Sequence, residues 1–186
     1  SGSGSTILNT VNIRHHLPIL LKKYNIKTMF DAPCGDGNWI KEVDLPCEYT
    51  GGDIVPEFAD KCEQNGLNTT LFDIRSDSFP DVDLWLCRDC WYHLCFADIH
   101  KAIDNFKSSN IKYLLVTSHE GNGHLGDIAT GGFRKLNLQE HGNFGLNDNI
   151  DSIPDTTINN MQENMLLFVN PNYLQTRQEQ PGYTKA

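Results

Sequence analysis

The sequence has no apolar run approaching the roughly 20 residues a bilayer-crossing helix needs, and it has no internal repeat or low-complexity tract. Its start, Ser-Gly-Ser-Gly-Ser over Ser1 to Ser5, carries neither the basic opening nor the apolar stretch of a secretion signal and has the composition of a flexible linker. Positive charge is scarce: 15 Lys and Arg stand against 24 Asp and Glu, a formal net charge of −9. That balance argues against broad electrostatic capture of nucleic acid or of an anionic membrane. The six cysteines (Cys34, Cys47, Cys62, Cys87, Cys90 and Cys95) lack the loop framework of a disulfide-stapled domain, and several lie in apolar runs. They are expected as reduced thiols in a cytoplasmic protein. What is present, 39% hydrophobic and 21% charged residues over 186 positions, suits one domain spanning 1–186 with its own core.

Apolar strand patterns alternate with helical ones along most of that length. A helix is expected over Thr6 to Tyr24, capped by Thr6 and kinked or restarted at Pro18, with Arg14 and His15 facing the pocket or on a solvated face. Strands are expected at Ile26 to Asp31, Tyr49 to Val55, Thr69 to Ile74, Val82 to Cys87 and Ile111 to Thr117. Helices are expected at Asn38 to Val43, Pro56 to Asn65 and Phe96 to Ser108. Such alternation implies an α/β fold, a mostly parallel Rossmann-like sheet with helices on both faces. In such sheets ligands sit beyond the carboxyl ends of the strands. Asp31, Asp53, Asp73, Arg88 with Asp89, and Ser118 with His119 all fall at those ends. From Glu120 to Asn149 the chain turns rich in Gly, Asn and Asp and reads as loop; a loop of that length suggests a substrate or lid segment at about 119–150. Met165 to Val169 is a later strand candidate, and Pro171 and Pro181 flank a poorly patterned C-terminus.

The most informative stretch is Met29 to Trp39, MFDAPCGDGNW. Asp31 ends a strand, Gly35 and Gly37 allow a tight turn, and Asp53 follows at about the 20-residue distance where nucleotide-binding units present a carboxylate to ribose hydroxyls. A dinucleotide site wants a third glycine, but Ile40 stands three residues after Gly37. Asp31 and Asp36 would also repel a pyrophosphate. A nucleoside with a cationic centre and no phosphate fits better.

This segment resembles motif I, D-x-x-x-G-x-G, of the class I S-adenosylmethionine-dependent methyltransferases. A narrower resemblance, covering almost the whole chain, is to small bacterial and viral-type methyltransferases marked by DAPCGD-x-NW, CRDC-x-x-HL and D-I-x-T-G-x-x-R-x-L-N-L. These match Asp31 to Trp39, Cys87 to Leu94 and Asp127 to Leu138, and Gly2 to Thr6 match a stretch found ahead of the first helix in that group. Gly37 makes the turn a more typical G-x-G than is usual there, and the usual proline-phenylalanine run is replaced by His141 to Gly145. The resemblance implies S-adenosylmethionine as cofactor and methyl transfer to an oxygen or nitrogen of a small-molecule or glycan-linked acceptor. Some members lie among genes for surface-sugar modification. Cofactor contacts are expected from Asp31, Pro33, Cys34, Gly35 and Trp39 in the turn, and from Asp53 with Ile54 at the ribose. Asp73 with Ile74 would meet the adenine, and Arg88 would lie at the end of the fourth strand.

Methyl transfer requires the acceptor to lie in line with the methyl–sulfur bond, with a group ready to take its proton. Asp89 is the first candidate for base or orienting carboxylate, and His93, four residues on, could share the proton. His119, Arg134 and Asn137 are candidate substrate contacts, with Arg88 or Arg134 suited to an anionic acceptor. Cys87-x-x-Cys90 has no matching second pair and lies partly in a strand, which counts against zinc; no metal site is expected. Two rival readings are a non-catalytic nucleoside-binding partner subunit and a nicotinamide-dependent reductase, the latter disfavoured by the missing glycine and the acidic turn.

Overall fold

A computed structural model describes residues 2–158 and 161–173. The stretch around Pro181 lies outside the described residues. Five parallel strands, β1 (Thr28–Asp31), β2 (Glu48–Asp53), β3 (Thr69–Leu71), β4 (Leu84–Cys87) and β5 (Tyr113–His119), are extended by an antiparallel pair, β6 (Asp151–Ile158) and β7 (Met161–Val169). The sheet order is β3-β2-β1-β4-β5-β7-β6. Among the described residues three α-helices accompany it: α1 (Val11–Lys23), α2 (Pro56–Gln64) and α3 (Phe96–Ser108).

Side-chain alternation along the central strands divides the core in two. Phe30, Trp85, Leu114 and Val116 point to the face covered by Ile99, Ala102, Ile103 and Phe106 of α3. Met29, Leu84, Leu86 and Leu115 point to the face covered by Ile13, Leu17, Leu20 and Leu21 of α1. Both faces are apolar because both are covered, which is why the central strands read as near-continuous hydrophobic runs. The helices-on-both-faces expectation is met.

The boundaries differ in instructive places. Thr6 does not cap the first helix; its Oγ1 accepts from the Asn9 N–H in a preceding turn, and the helix begins at Val11. Pro18 neither ends nor restarts that helix. A proline inside a helix costs about 3 kcal/mol. Four fully buried side chains at roughly 1.5–3 kcal/mol each outweigh it. Arg14 turns back on its own helix start, reaching the Ile7 carbonyl at 3.0 Å. The helix expected at Asn38 to Val43 is a single 3-10 turn, Ile40–Glu42. Trp39 and Ile40 are both drawn into the α1 face of the core, and Pro46 forces extended chain into β2. The strand β6 was not expected at all, because its DSIPDTTI sequence is mostly polar and carries a proline. It lies at the sheet edge, where Pro154 is tolerated. Its pairing with β7 slips between Pro154 and Thr157, and Asp155, two residues after buried Ile153 on the same strand face, lies in the interior.

Candidate active site

A cavity of about 810 Å³ opens beyond the carboxyl ends of the parallel strands, within the size range of small-molecule sites. Its floor is the turn after β1. Gly35 and Gly37 sit at φ +60° and +66°, the left-handed region where side chains are disfavoured. At Gly37 a Cβ would also lie 2.5 Å from Leu67 Cδ1 and 2.9 Å from Cys62 Sγ. Asp53, at the end of β2, fixes this turn: its two carboxylate oxygens accept the Gly35 and Val55 N–H groups, each at 2.9 Å. Trp85 holds the other side, its Nε1 donating to the Ala32 carbonyl at 2.8 Å. Asp31 accepts from the Tyr49 hydroxyl at 3.0 Å. Burial pushes its carboxyl up to about 7, against the lowering effect of that bond. The Cys34 thiol is held protonated by its contact with Cys62, Sγ to Sγ 3.7 Å, and by burial.

The cavity's centre is a knot of charge after β4. Arg88 is buried, with Nε and one terminal nitrogen on Asp155 at 2.8 and 3.0 Å, the other terminal nitrogen on Asp89 at 2.8 Å, and a further bond to the Gly4 carbonyl at 3.1 Å. Asp89 stands at φ +54°, its N–H donating to Thr117 Oγ1 at 2.9 Å. From β7, directly across from His119 in the sheet register, Glu163 enters the same knot. One oxygen each from Asp89, Asp155 and Glu163 lies within 4.8 Å of the others. Three carboxylates and one guanidinium cannot all be ionised cheaply. Burial, and then the negative charge of Asp89, raises Asp155 to about 6 even against the pull of Arg88. Burial, Asp89 and Asp155 raise Glu163 to about 8. Glu163 therefore carries a proton at neutral pH, and it is close enough to Asp89 to share it.

Two loops complete the walls. The turn Ser3–Ser5 folds over the knot, held by Arg88 on the Gly4 carbonyl and by Asn38 Nδ2 on the Ser5 carbonyl at 3.0 Å. On the other side the long loop is stitched to the segment after β4: Arg134 N–H to the Tyr92 carbonyl at 3.1 Å, and Gly131 N–H to the His93 carbonyl at 2.8 Å. It brings Thr130, Gly131 and Phe133 to the cavity. His93 Nδ1 meets the Gly132 carbonyl at 2.7 Å. A carbonyl only accepts, so Nδ1 carries a proton.

Of the sequence candidates, Asp31, Pro33, Cys34, Gly35, Trp39, Asp53, Ile54, Arg88, Asp89 and His93 all line this cavity. Asp73 and Ile74 do not. Both Asp73 oxygens are clamped by Arg75, at 2.7 and 2.8 Å, and Ile74 is buried in the α3 side of the core. Arg134 is buried with its guanidinium 4.4 Å from the Phe96 ring centre and 3.4 Å from Asp127. Burial lowers its pKa. His119 and Asn137 line a separate polar recess of about 360 Å³. His119 Nδ1 accepts from the Leu136 N–H at 3.2 Å, and its Nε2 lies 3.5 Å from Glu163 Oε1. Burial keeps it neutral. Sequence reasoning missed Asp155 and Glu163 because the β6–β7 hairpin was unseen or begun too late. It missed Tyr92 and Phe133 because aromatics in loops carry no periodic signal. Among the described residues, the carboxylate knot is the one cluster with spacing that suits a cation, and Arg88 offsets part of its charge. Cys87 lies in β4 with its thiol pushed well up by burial, which does not favour a thiolate ligand.

No family model matches the chain, and no curated protein sequence matches it closely enough to count as a relative. Solved structures do match. The N1-methyltransferase for 1,6-didemethyltoxoflavin from Burkholderia thailandensis, solved with that molecule and S-adenosylhomocysteine, superposes with a TM-score of 0.66 at 15% identity, covering 87% of this chain and 79% of its own. The N-methyltransferase NodS of Bradyrhizobium japonicum WM9, solved with S-adenosylhomocysteine, gives 0.62 at 15% identity and 86% of each chain. Magnesium protoporphyrin IX methyltransferase from Synechocystis PCC 6803 gives 0.63 at 12% identity, over 84% of this chain and 81% of that one. The chain has the mostly parallel, Rossmann-like α/β fold of the class I S-adenosylmethionine-dependent methyltransferases.

Proposed function

We propose that this protein is an S-adenosylmethionine-dependent methyltransferase acting on an oxygen or nitrogen of a small-molecule acceptor. The observation that carries the reading is the chemistry of the cavity at the fold's ligand position. Carboxylates of Asp31, Asp53, Asp89 and Glu163 line it, and its one guanidinium, Arg88, is already paired. Such a lining suits a nucleoside with a sulfonium and an ammonium and is hostile to a pyrophosphate. Solved proteins of this fold hold S-adenosylmethionine or S-adenosylhomocysteine.

When bound, that cofactor supplies an electrophilic methyl group. The chain's residues do the rest. Asp53 would receive ribose hydroxyls while keeping the Gly35 turn in shape, and Asp31 would face the cationic end. Trp39 and Ile54 supply apolar wall. Asp73 takes no adenine contact in this reading, because Arg75 occupies its carboxylate. Asp89 and His93 stand where an acceptor would be oriented and deprotonated. The Ser3–Ser5 turn and the 127–134 loop would exclude water, the role assigned to a lid.

Titration calorimetry with S-adenosylhomocysteine, followed by assay of methyl transfer from S-adenosylmethionine to an acceptor panel, tests this. Binding with turnover is expected. Absence of S-adenosylhomocysteine binding overturns the reading, and binding without transfer to any acceptor favours a nucleoside-binding partner subunit.

A further inference from the structure

We infer that the acceptor is an amine on a flat, largely apolar body, its nitrogen received between the carboxylates of Asp89 and Glu163. This rests on the methyltransferase reading of the cavity and narrows its substrate class.

Charge comes first. Arg88 has its donors engaged by Asp155, Asp89 and the Gly4 carbonyl, and the other cationic candidate, Arg134, lies against Phe96 outside the cavity. A phosphate or carboxylate acceptor would meet no free counter-charge and several like charges. Hydrogen bonding comes second. Asp89 Oδ1 and Glu163 Oε2 are buried, and apart from the proton held on Glu163 they take no hydrogen bond from the described residues. Glu163 itself is 5% exposed. Once Glu163 ionises, two neighbouring acceptors without a donor are costly unless a ligand supplies one. An ammonium brings three N–H donors, and a hydroxyl brings one. Shape comes third. Beside this pair the wall is Tyr92, Leu94, Gly131 and Phe133, with the Tyr92 and Phe133 rings 5.6 Å apart edge to face. That surface offers a planar body apolar contact and little hydrogen bonding.

The groups facing Glu163 are Asp89, Asp155, Arg88 and His119, with Tyr92 close by. In the amine-free site Glu163 holds a proton because of burial and its acidic neighbours. A cation arriving between the pair favours ionised Glu163, which gives that proton to solvent. The ammonium then passes a proton to the Glu163 carboxylate and becomes the neutral amine. The nitrogen lone pair forms the new N–C bond while the C–S bond breaks and its electrons stay on sulfur, leaving a methylated ammonium. Glu163 is thus a catalytic residue alongside Asp89, and Asp155 is a positioning residue acting through Arg88.

The test uses the whole chain saturated with S-adenosylhomocysteine and titrated near pH 7 with benzylamine, benzyl alcohol or benzoate, in two buffers of different ionisation enthalpy. Benzylamine is expected to bind at least about tenfold more tightly than the other two and to release protons. Glu163→Gln, measured at saturating S-adenosylhomocysteine, should abolish the proton release and weaken benzylamine about tenfold or more. Asp89→Asn provides a second variant with the same expected loss of benzylamine affinity, and thermal melts confirm that both fold. Equal or tighter binding of benzoate or benzyl alcohol overturns the inference. So does undetectable benzylamine binding, or proton release unchanged in Glu163→Gln. Failure of S-adenosylhomocysteine itself to bind refutes the methyltransferase reading instead.

Discussion

Replacing Asp53 with Asn separates two jobs that one carboxylate performs. In the folded chain its oxygens each take a backbone N–H, Gly35 on one side and Val55 on the other, both at 2.9 Å. Asparagine keeps one oxygen and turns an NH2 toward the second donor. One charge-assisted bond is lost, worth about 1.5–3 kcal/mol, and a nearly buried N–H is left without an acceptor. We expect destabilisation of about 2–3 kcal/mol, seen as a fall in Tm of about 5–10 °C for a chain of this size. If the same carboxylate also receives ribose hydroxyls, S-adenosylhomocysteine affinity should fall about ten- to a hundredfold in calorimetry at a temperature where the variant is fully folded. A wild-type Tm would refute the turn-fixing role. A lowered Tm with unchanged affinity would refute the ribose role and leave the structural one standing.

Further expectations follow from the same geometry. Arg88→Met leaves Asp155 and Asp89 as buried, uncompensated carboxylates, so a loss of about 3–5 kcal/mol should appear in urea unfolding; a loss under about 1 kcal/mol would contradict the burial of that network. Gly37→Ala places a Cβ 2.5 Å from Leu67 Cδ1 at a positive φ and should lower both Tm and S-adenosylhomocysteine affinity, whereas a neutral result would mean the turn is not held as described. Asp31, Asp155 and Glu163 all have folded pKa values raised above their unfolded ones, to about 7, 6 and 8. The folded chain then holds more protons than the unfolded one, so ligand-free stability should fall as pH rises from about 4 to about 8. Asp98, lowered to about 2 chiefly by the Thr130 hydroxyl, loses its contribution only in stronger acid. Glu163→Gln should flatten the alkaline part of that curve, and a stability maximum near pH 8 in the wild type would contradict the knot's electrostatics.

The centre of the parallel sheet was legible because β1, β4 and β5 are short and largely apolar and are bounded by turn or polar residues. The helix Phe96–Ser108 agreed with expectation residue for residue, its Ile99, Ala102, Ile103 and Phe106 forming one clean stripe. The turn at Asp31 to Trp39 was legible as a tight turn because it holds two glycines, and it lines the cavity. The half of the site contributed by β6 and β7 was hidden. Asp155 lies in a mostly polar, proline-bearing segment that does not announce a strand, and Glu163 reads as one polar residue at the start of an apolar run. Asp73 misled for the opposite reason. Its place after a third strand matched the resemblance, but Arg75, two residues on, folds back and takes both oxygens. Arg134 likewise looked like an anion binder from its residue type, while its guanidinium lies over an aromatic face away from the cavity.

These features give the two ends of the cavity different tasks. The β1–β2 end is a rigid, backbone-tied cradle, with Asp53 and Trp85 fixing the main chain on either side. At the β4–β7 end a buried guanidinium holds two carboxylates, and burial with these acidic neighbours raises the third, Glu163, to about 8.

The most direct test of the account is a crystal structure of the chain with S-adenosylhomocysteine. The account predicts the nucleoside against the Gly35 turn, its ribose on Asp53 and its sulfur end facing the Asp89–Glu163 pair. Density for the ligand in any other recess, or a turn closed against the ligand, would contradict it.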